Sequence, residues 1–142
     1  MGEVSPGYRL TSLVLDTHAV IWYLTNDPRL SNTAIQRIRA AVAASTRCIV
    51  PSICLVEATY LVEKNRISEQ TFTLLRNTLA EPGSSLVIAT LNFAVAATIR
   101  QIPRVEVPDL PDRVIAATAL ALRLPLITRD GRIRSSGVET IW

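Results

Sequence analysis

The chain has 142 residues, of which 49% are hydrophobic and 19% charged, and its formal net charge is +3. This length favours one domain with a sizeable core, and the composition excludes an intrinsically disordered chain. No apolar run reaches the roughly 18 residues of a membrane span, and residues 1–11 lack the pattern of a signal peptide. We therefore expect a cytoplasmic protein without a membrane partner. Residues 1–11 are expected to form a loose leader partly outside the fold, and residues 12–142 a single domain.

Apolar runs and turn residues predict strands that alternate with helices. In chain order, the predicted elements are a strand at 12–16, a helix at 17–24, a helix capped by Ser31, a strand at 47–50, a helix from a Ser52 cap to about residue 65, a helix from 68 to about 80, a strand at 85–89, a helix at 91–102, a helix at 112–122, a strand at 124–128 and a weaker fifth strand at 138–142. Such alternation favours a three-layer α/β/α sandwich with a mainly parallel sheet of four to five strands.

Several residue types limit the chemistry that the chain can perform. The five glycines are scattered singly and form neither a dinucleotide-binding motif nor a P-loop. One histidine and two cysteines, Cys48 and Cys54, cannot furnish a standard zinc site, and we expect both cysteines to be buried. All basic residues except Lys64 are arginines, which suit a nucleic-acid partner, although genome base composition would produce the same bias.

Two carboxylates are notable for their position in the predicted elements. Asp16 ends the first strand, where ligands of parallel sheets gather, but it can also cap the following helix, and the two roles are compatible. Glu57 has apolar neighbours one helical turn away and no Lys or Arg at i±3 or i±4. Because an unpaired buried carboxylate is costly, we expect either a metal ion or a distant Arg to be the partner of Glu57.

Two further carboxylates have competing interpretations. Asp112 begins an Ala-rich helix, where it is either a cap or part of a site at the rim of the sheet, and Asp109 could equally serve the preceding turn. Asp130 follows the fourth strand, but Asp130-Gly131 between apolar stretches is also typical of a type I′ hairpin. From the sequence alone, the hairpin is the favoured interpretation of Asp130.

These four carboxylates together would form a site for a divalent cation. Ionised carboxylates in one cleft repel each other unless a cation is present. Hard oxygen ligands without His or Cys favour Mg²⁺ or Mn²⁺. Such a site can generate hydroxide and screen the charge of a phosphodiester. The candidate site is therefore the set Asp16, Glu57, Asp112 and Asp130.

Around these residues the chain resembles the PIN-domain family, and in particular the VapC-like toxins of toxin–antitoxin pairs. The resembling segments, in family order, are L-V-L-D-T-H-A-V-I-W, P-S-I-C-L-V-E-A-T-Y-L, P-D-L-P-D-R-V-I-A-A-T-A-L and L-P-L-I-T-R-D, which span residues 13–130. Each segment alone is a weak signal, whereas the ordered set is fairly specific. The P-D-L-P-D-R segment departs from the commoner D-P-F-D-R pattern, which affects the expected loop shape but not Asp112.

The resemblance implies the same three-layer fold and a divalent-metal site at Asp16, Glu57 and Asp112. It implies that Asp130 is the fourth acidic position, which favours a site over a hairpin, and that Thr128 is a polar position beside the site. It also implies an endoribonuclease that cleaves RNA with one or two Mg²⁺ or Mn²⁺ ions, a cognate antitoxin and a homodimer. One alternative is a catalytically silent PIN-like module that binds RNA or protein. Another is a receiver-type signalling domain, which the mid-chain position of Lys64 disfavours.

Two apolar stripes on predicted helices have two interpretations. The stripes consist of Ile35, Ile38 and Val42, and of Phe72, Leu75 and Leu79. Their pattern alone favours a place in the core. The family resemblance adds that antitoxins wrap such helices and often insert a basic side chain into the acidic cleft, and it leads to the hypothesis of an antitoxin groove near Ile38 and Leu75.

Overall fold

The computed structural model describes residues 12–134 and 136–142, which form a five-stranded sheet with helices between the strands. The strands are β1 (Leu13–Leu15), β2 (Cys48–Pro51), β3 (Leu86–Ala89), β4 (Leu126–Ile127) and β5 (Thr140–Ile141). All pairings are parallel, and the order across the sheet is β3-β2-β1-β4-β5. The leader predicted at residues 1–11 lies outside the described residues.

The helices form the outer layers of the sandwich. They are α1 (Thr17–Leu24), α2 (Asn32–Ala43), α3 (Ile53–Glu63), α4 (Glu69–Ala80), α5 (Phe93–Thr98), which continues as a 3₁₀ turn (Ile99–Gln101), α6 (Leu110–Leu122) and α7 (Gly131–Arg134). Because β2 and β3 lie on one side of β1 and β4 and β5 on the other, right-handed crossovers place α1 to α4 on one face and α5 to α7 on the other. The predicted three-layer α/β/α sandwich is thus confirmed.

The core follows from the continuous apolar runs of the central strands. Every residue of β1 is fully buried, because helices cover both faces of the parallel sheet. The small side chains of Ala116, Ala117 and Ala119 on α6 are also buried. Cys48 and Cys54 are both buried free thiols, as expected. In the described part of the chain, no helix combines the length and the apolar character that a membrane span requires.

The helix caps agree with the sequence at two positions and differ at two others. Ser31 accepts a hydrogen bond from a first-turn backbone N–H group at 3.1 Å, as predicted. Ser68, the predicted start of the next helix, is its cap and accepts such a bond at 3.0 Å. Ser52 occupies the predicted N-cap position of α3, but its side chain forms no capping bond, because its hydroxyl accepts instead from the N–H of Leu91 at 3.1 Å. The helix predicted from residue 91 begins later, because Asn92 is its cap.

The hairpin interpretation of Asp130-Gly131 is wrong. Gly131 begins α7, and β5 pairs with β4 in parallel, so the chain crosses over instead of reversing. The Asp130 carboxylate accepts a hydrogen bond from the backbone N–H of Arg132 at 2.9 Å, as is usual at the start of a helical turn. The side chain of Asp130 therefore stays at the carboxyl edge of the sheet.

The hypothesis of an antitoxin groove near Ile38 and Leu75 is wrong in its location, because both side chains are fully buried. The remaining members of the two stripes are partly buried and pack against the core; they are Ile35, Val42, Phe72 and Leu79. The interpretation of the two stripes as core is therefore confirmed.

Leu75 and its neighbour Leu74 provide a matched test of this core. Leu75 is fully buried, whereas Leu74 on the same helix is 43% exposed. Leu75→Ala is expected to lower the free energy of unfolding by about 2–5 kcal/mol, because it removes apolar contacts and leaves a cavity. Leu74→Ala is expected to cost less than about 1 kcal/mol. Urea denaturation followed by circular dichroism measures both, and equal effects would contradict the burial of Leu75.

Candidate active site

A cleft of about 300 Å³ opens at the carboxyl edge of the sheet. All four carboxylates predicted from the sequence line it, together with a fifth carboxylate, Asp109. The other lining residues are one arginine, one histidine and two tryptophans. The full set is Asp16, His18, Trp22, Glu57, Asp109, Asp112, Arg129, Asp130 and Trp142. The side chains come from five different segments of the chain. Parallel strands bring these segments together, because all their carboxyl ends lie at one edge.

Asp16 combines the two roles considered for it. It follows β1 with an extended backbone, and its Oδ1 accepts a hydrogen bond from the N–H of Ala19 at 2.8 Å, so it caps α1. It also lines the cleft. Burial raises the pKa of Asp16, and hydrogen bonds from the Thr128 hydroxyl and the Ala19 N–H partly offset that increase.

Glu57 points from the second turn of α3 into the same cleft. The Thr17 hydroxyl, in the first turn of α1, donates a hydrogen bond to Glu57 Oε1. Among the described residues, Glu57 forms no ion pair, so the distant arginine considered as its partner is not found. Burial raises the pKa of Glu57, the hydrogen bond from Thr17 lowers it, and the negative charge of Asp109 raises it further.

Asp112 lies among several other carboxylates at the start of α6. The helix α6 begins at Leu110, two residues earlier than predicted, because Asp109 is its cap and accepts a hydrogen bond from the N–H of Asp112 at 3.0 Å. Asp112 thus lies in the first turn and is not the cap. Burial, followed by the negative charges of Asp109, Glu57 and the other carboxylates, raises the pKa of Asp112 to about 7.

Thr128 joins the ends of β1 and β4. Its side chain is buried, its Oγ1 accepts a hydrogen bond from the N–H of Asp130 at 3.1 Å, and its hydroxyl bonds to Asp16. This is the position beside the site that the family resemblance implied. Asp130 itself lines the cleft, and its charge contributes to the raised pKa values of Asp16 and Asp112.

Sequence reasoning missed Trp142 and Arg129, which line the cleft, and Thr17, which bonds to Glu57. It considered Asp109 only for the turn before α6. The predicted parallel sheet could have indicated Trp142, because it follows the last strand and ends at the same edge as Asp16. The remaining two, Thr17 and Arg129, directly follow or precede predicted carboxylates but have no distinguishing signal of their own. The guanidinium of Arg129 lies 4.9 Å from the centre of the Trp22 ring. Trp22 is buried.

The fit of a divalent metal depends on donor chemistry and on spacing. In the part of the chain that the structure describes, no three acidic, His or Cys side chains lie close enough together to enclose a metal ion in their present positions. The donors are carboxylate oxygens, which suit Mg²⁺ or Mn²⁺. Mg²⁺ is commonly held by one or two carboxylates, with waters and substrate phosphates as the other ligands. A pair drawn from Asp16, Glu57 and Asp112 therefore fits such an ion.

Comparisons with known proteins identify the family of the chain. Residues 13–137 match the family of the PIN domain. The chain belongs to the PIN-domain family. It is 31% identical over 126 residues to Ribonuclease VapC22 of Mycobacterium tuberculosis, an alignment that covers 89% of this chain and 92% of that protein.

Solved structures share the fold of this PIN domain. VapBC2 from Rickettsia felis, bound to a DNA fragment from its promoter, matches with a TM-score of 0.68 and 19% identity, covering 92% of this chain and 99% of that chain. A toxin–antitoxin complex from Klebsiella pneumoniae matches with a TM-score of 0.63 and 22% identity, covering 92% and 96%. The resemblance inferred from the four sequence segments is thus confirmed.

The raised pKa of Asp112 makes the stability of the metal-free PIN domain depend on pH. Between the ordinary value of 3.8 and about 7, the folded protein binds more protons than the unfolded chain. The free energy of unfolding therefore falls as the pH rises through this interval. Asp112→Asn cannot ionise, so we expect it to stabilise the metal-free protein at pH 8 by on the order of 1–4 kcal/mol.

Urea denaturation in EDTA at pH 5 and pH 8 measures this effect. The gain from Asp112→Asn should be larger at pH 8 than at pH 5. Glu63→Gln, an exposed position on α3, is the control and should show no such dependence. A gain that is the same at both pH values would contradict the electrostatic origin of the shift.

Proposed function

We propose that this PIN domain is a metal-dependent endoribonuclease, the toxin component of a type II toxin–antitoxin system, which cleaves RNA phosphodiester bonds in the cytoplasm. The observation that carries the proposal is the cleft of about 300 Å³ in which five carboxylates face one another. The negative charges of its neighbours contribute to the raised pKa of Asp112, so the cleft is built to receive positive charge. The 31% identity with a protein named as a ribonuclease supports this proposal.

The proposed cofactor is Mg²⁺ or Mn²⁺, and its proposed ligands are Asp16, Glu57 and Asp112, with a weaker contribution from Asp130. A pair of these carboxylates would hold the ion in their present positions, and the others would have to move toward it to become ligands. When bound, such an ion would activate water for attack and would screen the charge of the phosphodiester. No side chain of the cleft needs to act as the nucleophile. Because the metal ligands must be deprotonated, binding of the ion to a site that includes Asp112 releases protons at pH 7 and below.

The chain's own residues orient the carboxylates before any ligand binds. The Thr17 hydroxyl holds Glu57, and the buried Thr128 hydroxyl holds Asp16 and the backbone of Asp130. These bonds fix carboxylate groups that would otherwise turn away from one another. Arg129 is the only Lys or Arg among the described residues that line the cleft, and its planar guanidinium suits a substrate phosphate.

The proposed partners are an RNA substrate, a cognate antitoxin and a second copy of the chain. A cleft that collects carboxylates is complementary to a basic side chain, so an antitoxin that inserted one would compete with the metal ion. The fold that this chain shares with a toxin–antitoxin complex supports the antitoxin as partner. The homodimer is proposed from the family resemblance alone.

Metal binding is expected to stabilise the folded protein. At a free Mn²⁺ concentration one hundred times the dissociation constant, the gain is about 2.7 kcal/mol if the unfolded chain does not bind, which raises the melting temperature by several degrees. Glu57→Gln should lose most of this shift, whereas Glu63→Gln on the same helix should keep it. Differential scanning fluorimetry at millimolar Mn²⁺ measures the shift, and its absence in the unsubstituted chain would count against the metal site.

Cleavage of a defined set of RNAs by the purified protein tests the function itself. Activity is expected with Mg²⁺ or Mn²⁺ and should disappear in EDTA. Asp16→Asn and Asp112→Asn keep shape but lose charge, and each should reduce the cleavage rate by on the order of 100-fold or more. Asp130→Asn should have a smaller effect, and Glu63→Gln none. Full activity of Asp112→Asn would show that the reaction occurs elsewhere.

A further inference from the structure

A second cavity, of about 390 Å³, adjoins the acidic cleft. We call it the basic cavity, because its charged lining consists of Arg29, Arg66 and Asp27. His18 and Trp22 line both cavities and so form the wall that they share. A volume of this size is enough for one small polar ligand or one nucleotide unit. A chain bound in the acidic cleft can therefore extend past His18 into the basic cavity.

The two arginines of the basic cavity differ in how far their charge is already used. Arg29 bonds to both carboxylate oxygens of Asp27, at 3.0 and 2.8 Å, and its guanidinium lies 4.7 Å from the centre of the Trp22 ring. Asp27 therefore offsets most of the charge of Arg29 and fixes its orientation. Arg66 is exposed and forms no ion pair among the described residues. The free positive charge of the basic cavity is thus on Arg66.

The backbone of Arg66 is held by the turn that ends α3. Asn65 has a left-handed conformation with φ of 58°, and the N–H of Arg66 donates to the carbonyl of Leu61 at 2.8 Å. A second bond runs from the N–H of Asn65 to the carbonyl of Val62 at 2.9 Å, which completes a Schellman motif. Arg66 is therefore presented to the cavity from a rigid turn, which lowers the entropy cost of binding through its side chain.

The shared wall suits a nucleobase. The exposed imidazole of His18 lies 5.3 Å from the Trp22 ring, at an interplanar angle of 47°. Single-stranded nucleic acids bind proteins by stacking bases on such side chains while arginines contact the phosphates. An acidic peptide could also meet Arg66, but a base would use the ring of His18 as well, so the lining favours RNA.

We infer that the basic cavity is a subsite for the nucleotide next to the bond that is cleaved. In this subsite Arg66 contacts a phosphate of the single-stranded RNA and His18 stacks on a base. The inference rests on the proposed function, because it places the reacting phosphodiester in the acidic cleft. The contact between Arg66 and the phosphate would increase the affinity for RNA without involving the reacting atoms.

Salt dependence of RNA binding tests the inference. Fluorescence anisotropy with a 5′-labelled single-stranded 12-nucleotide RNA is measured in the Asp112→Asn chain with Mg²⁺ present, so that the RNA is not cut. Adding Arg66→Gln should weaken binding by roughly 10-fold, as loss of a hydrogen bond between charged groups does. It should also reduce the slope of log K against log salt by about 0.7, the value for one phosphate contact to a single strand.

Two matched variants distinguish a phosphate contact from a change of fold. Arg66→Lys keeps the charge and should keep the slope. Arg37→Gln removes an exposed arginine of α2 that lines neither cavity, and it should change neither affinity nor slope. In the chain with Asp112 intact, Arg66→Gln should raise KM and leave kcat nearly unchanged, because the contact is the same in the ground state and the transition state.

Each outcome bears on one proposal. Unchanged RNA affinity and an unchanged salt slope in Arg66→Gln would overturn the subsite. If Arg66→Gln weakened binding of a poly-glutamate peptide but not of RNA, the cavity would be assigned to an acidic protein segment instead. An altered slope in Arg37→Gln as large as that in Arg66→Gln would also overturn it, because binding would then be diffuse. Absence of cleavage by the unsubstituted chain would contradict the proposed ribonuclease, whereas the slope measurement does not depend on cleavage.

Discussion

The structure depends on the constraint that every strand of the sheet runs in the same direction. A parallel strand can be reached only by a crossover through a helix, so each strand is followed at its carboxyl end by a turn into the next helix. All these turns lie at one edge of the sheet. Asp16, Thr128 and Trp142 are near neighbours in space for this reason, although they are far apart in the sequence. The acidic cleft is a direct product of the topology.

The same constraint explains why much of the fold could be predicted. β1 and β2 are buried on both faces, so their apolar runs are continuous and easily recognised, and short polar turns mark the helix ends. The hydrogen bonds of capping residues are harder to predict from the sequence. Serine is a favoured residue type at helix caps, but the hydroxyl of Ser52 accepts a hydrogen bond from the backbone of Leu91. Leu91 is 39 residues away in the sequence, so no local pattern reveals this contact. Asp130-Gly131 likewise has local features of a hairpin, and tertiary pairing of β5 overrides them.

The candidate site could be predicted in its carboxylates but not in the groups that support them. Glu57 was conspicuous because its helical neighbours are apolar and no basic residue is near it in sequence. Its actual partner, the hydroxyl of Thr17, lies 40 residues away and resembles any other threonine. The groove expected near Ile38 and Leu75 was wrong because amphipathic periodicity identifies an apolar face without revealing whether the protein's own core covers it. Charge and burial in three dimensions were needed for both distinctions.

The place of β1 in the sheet has a consequence for protein synthesis. β1 is made first, yet it is the central strand, and one of its two neighbours is β4, which is more than a hundred residues later in the chain. Thr128 and Asp130, which complete the surroundings of Asp16, are made later still. A growing chain therefore cannot assemble the acidic cleft until these residues have left the ribosome. The acidic cleft is thus one of the last parts of this domain that can form, after β1, β2 and β3 have already been made.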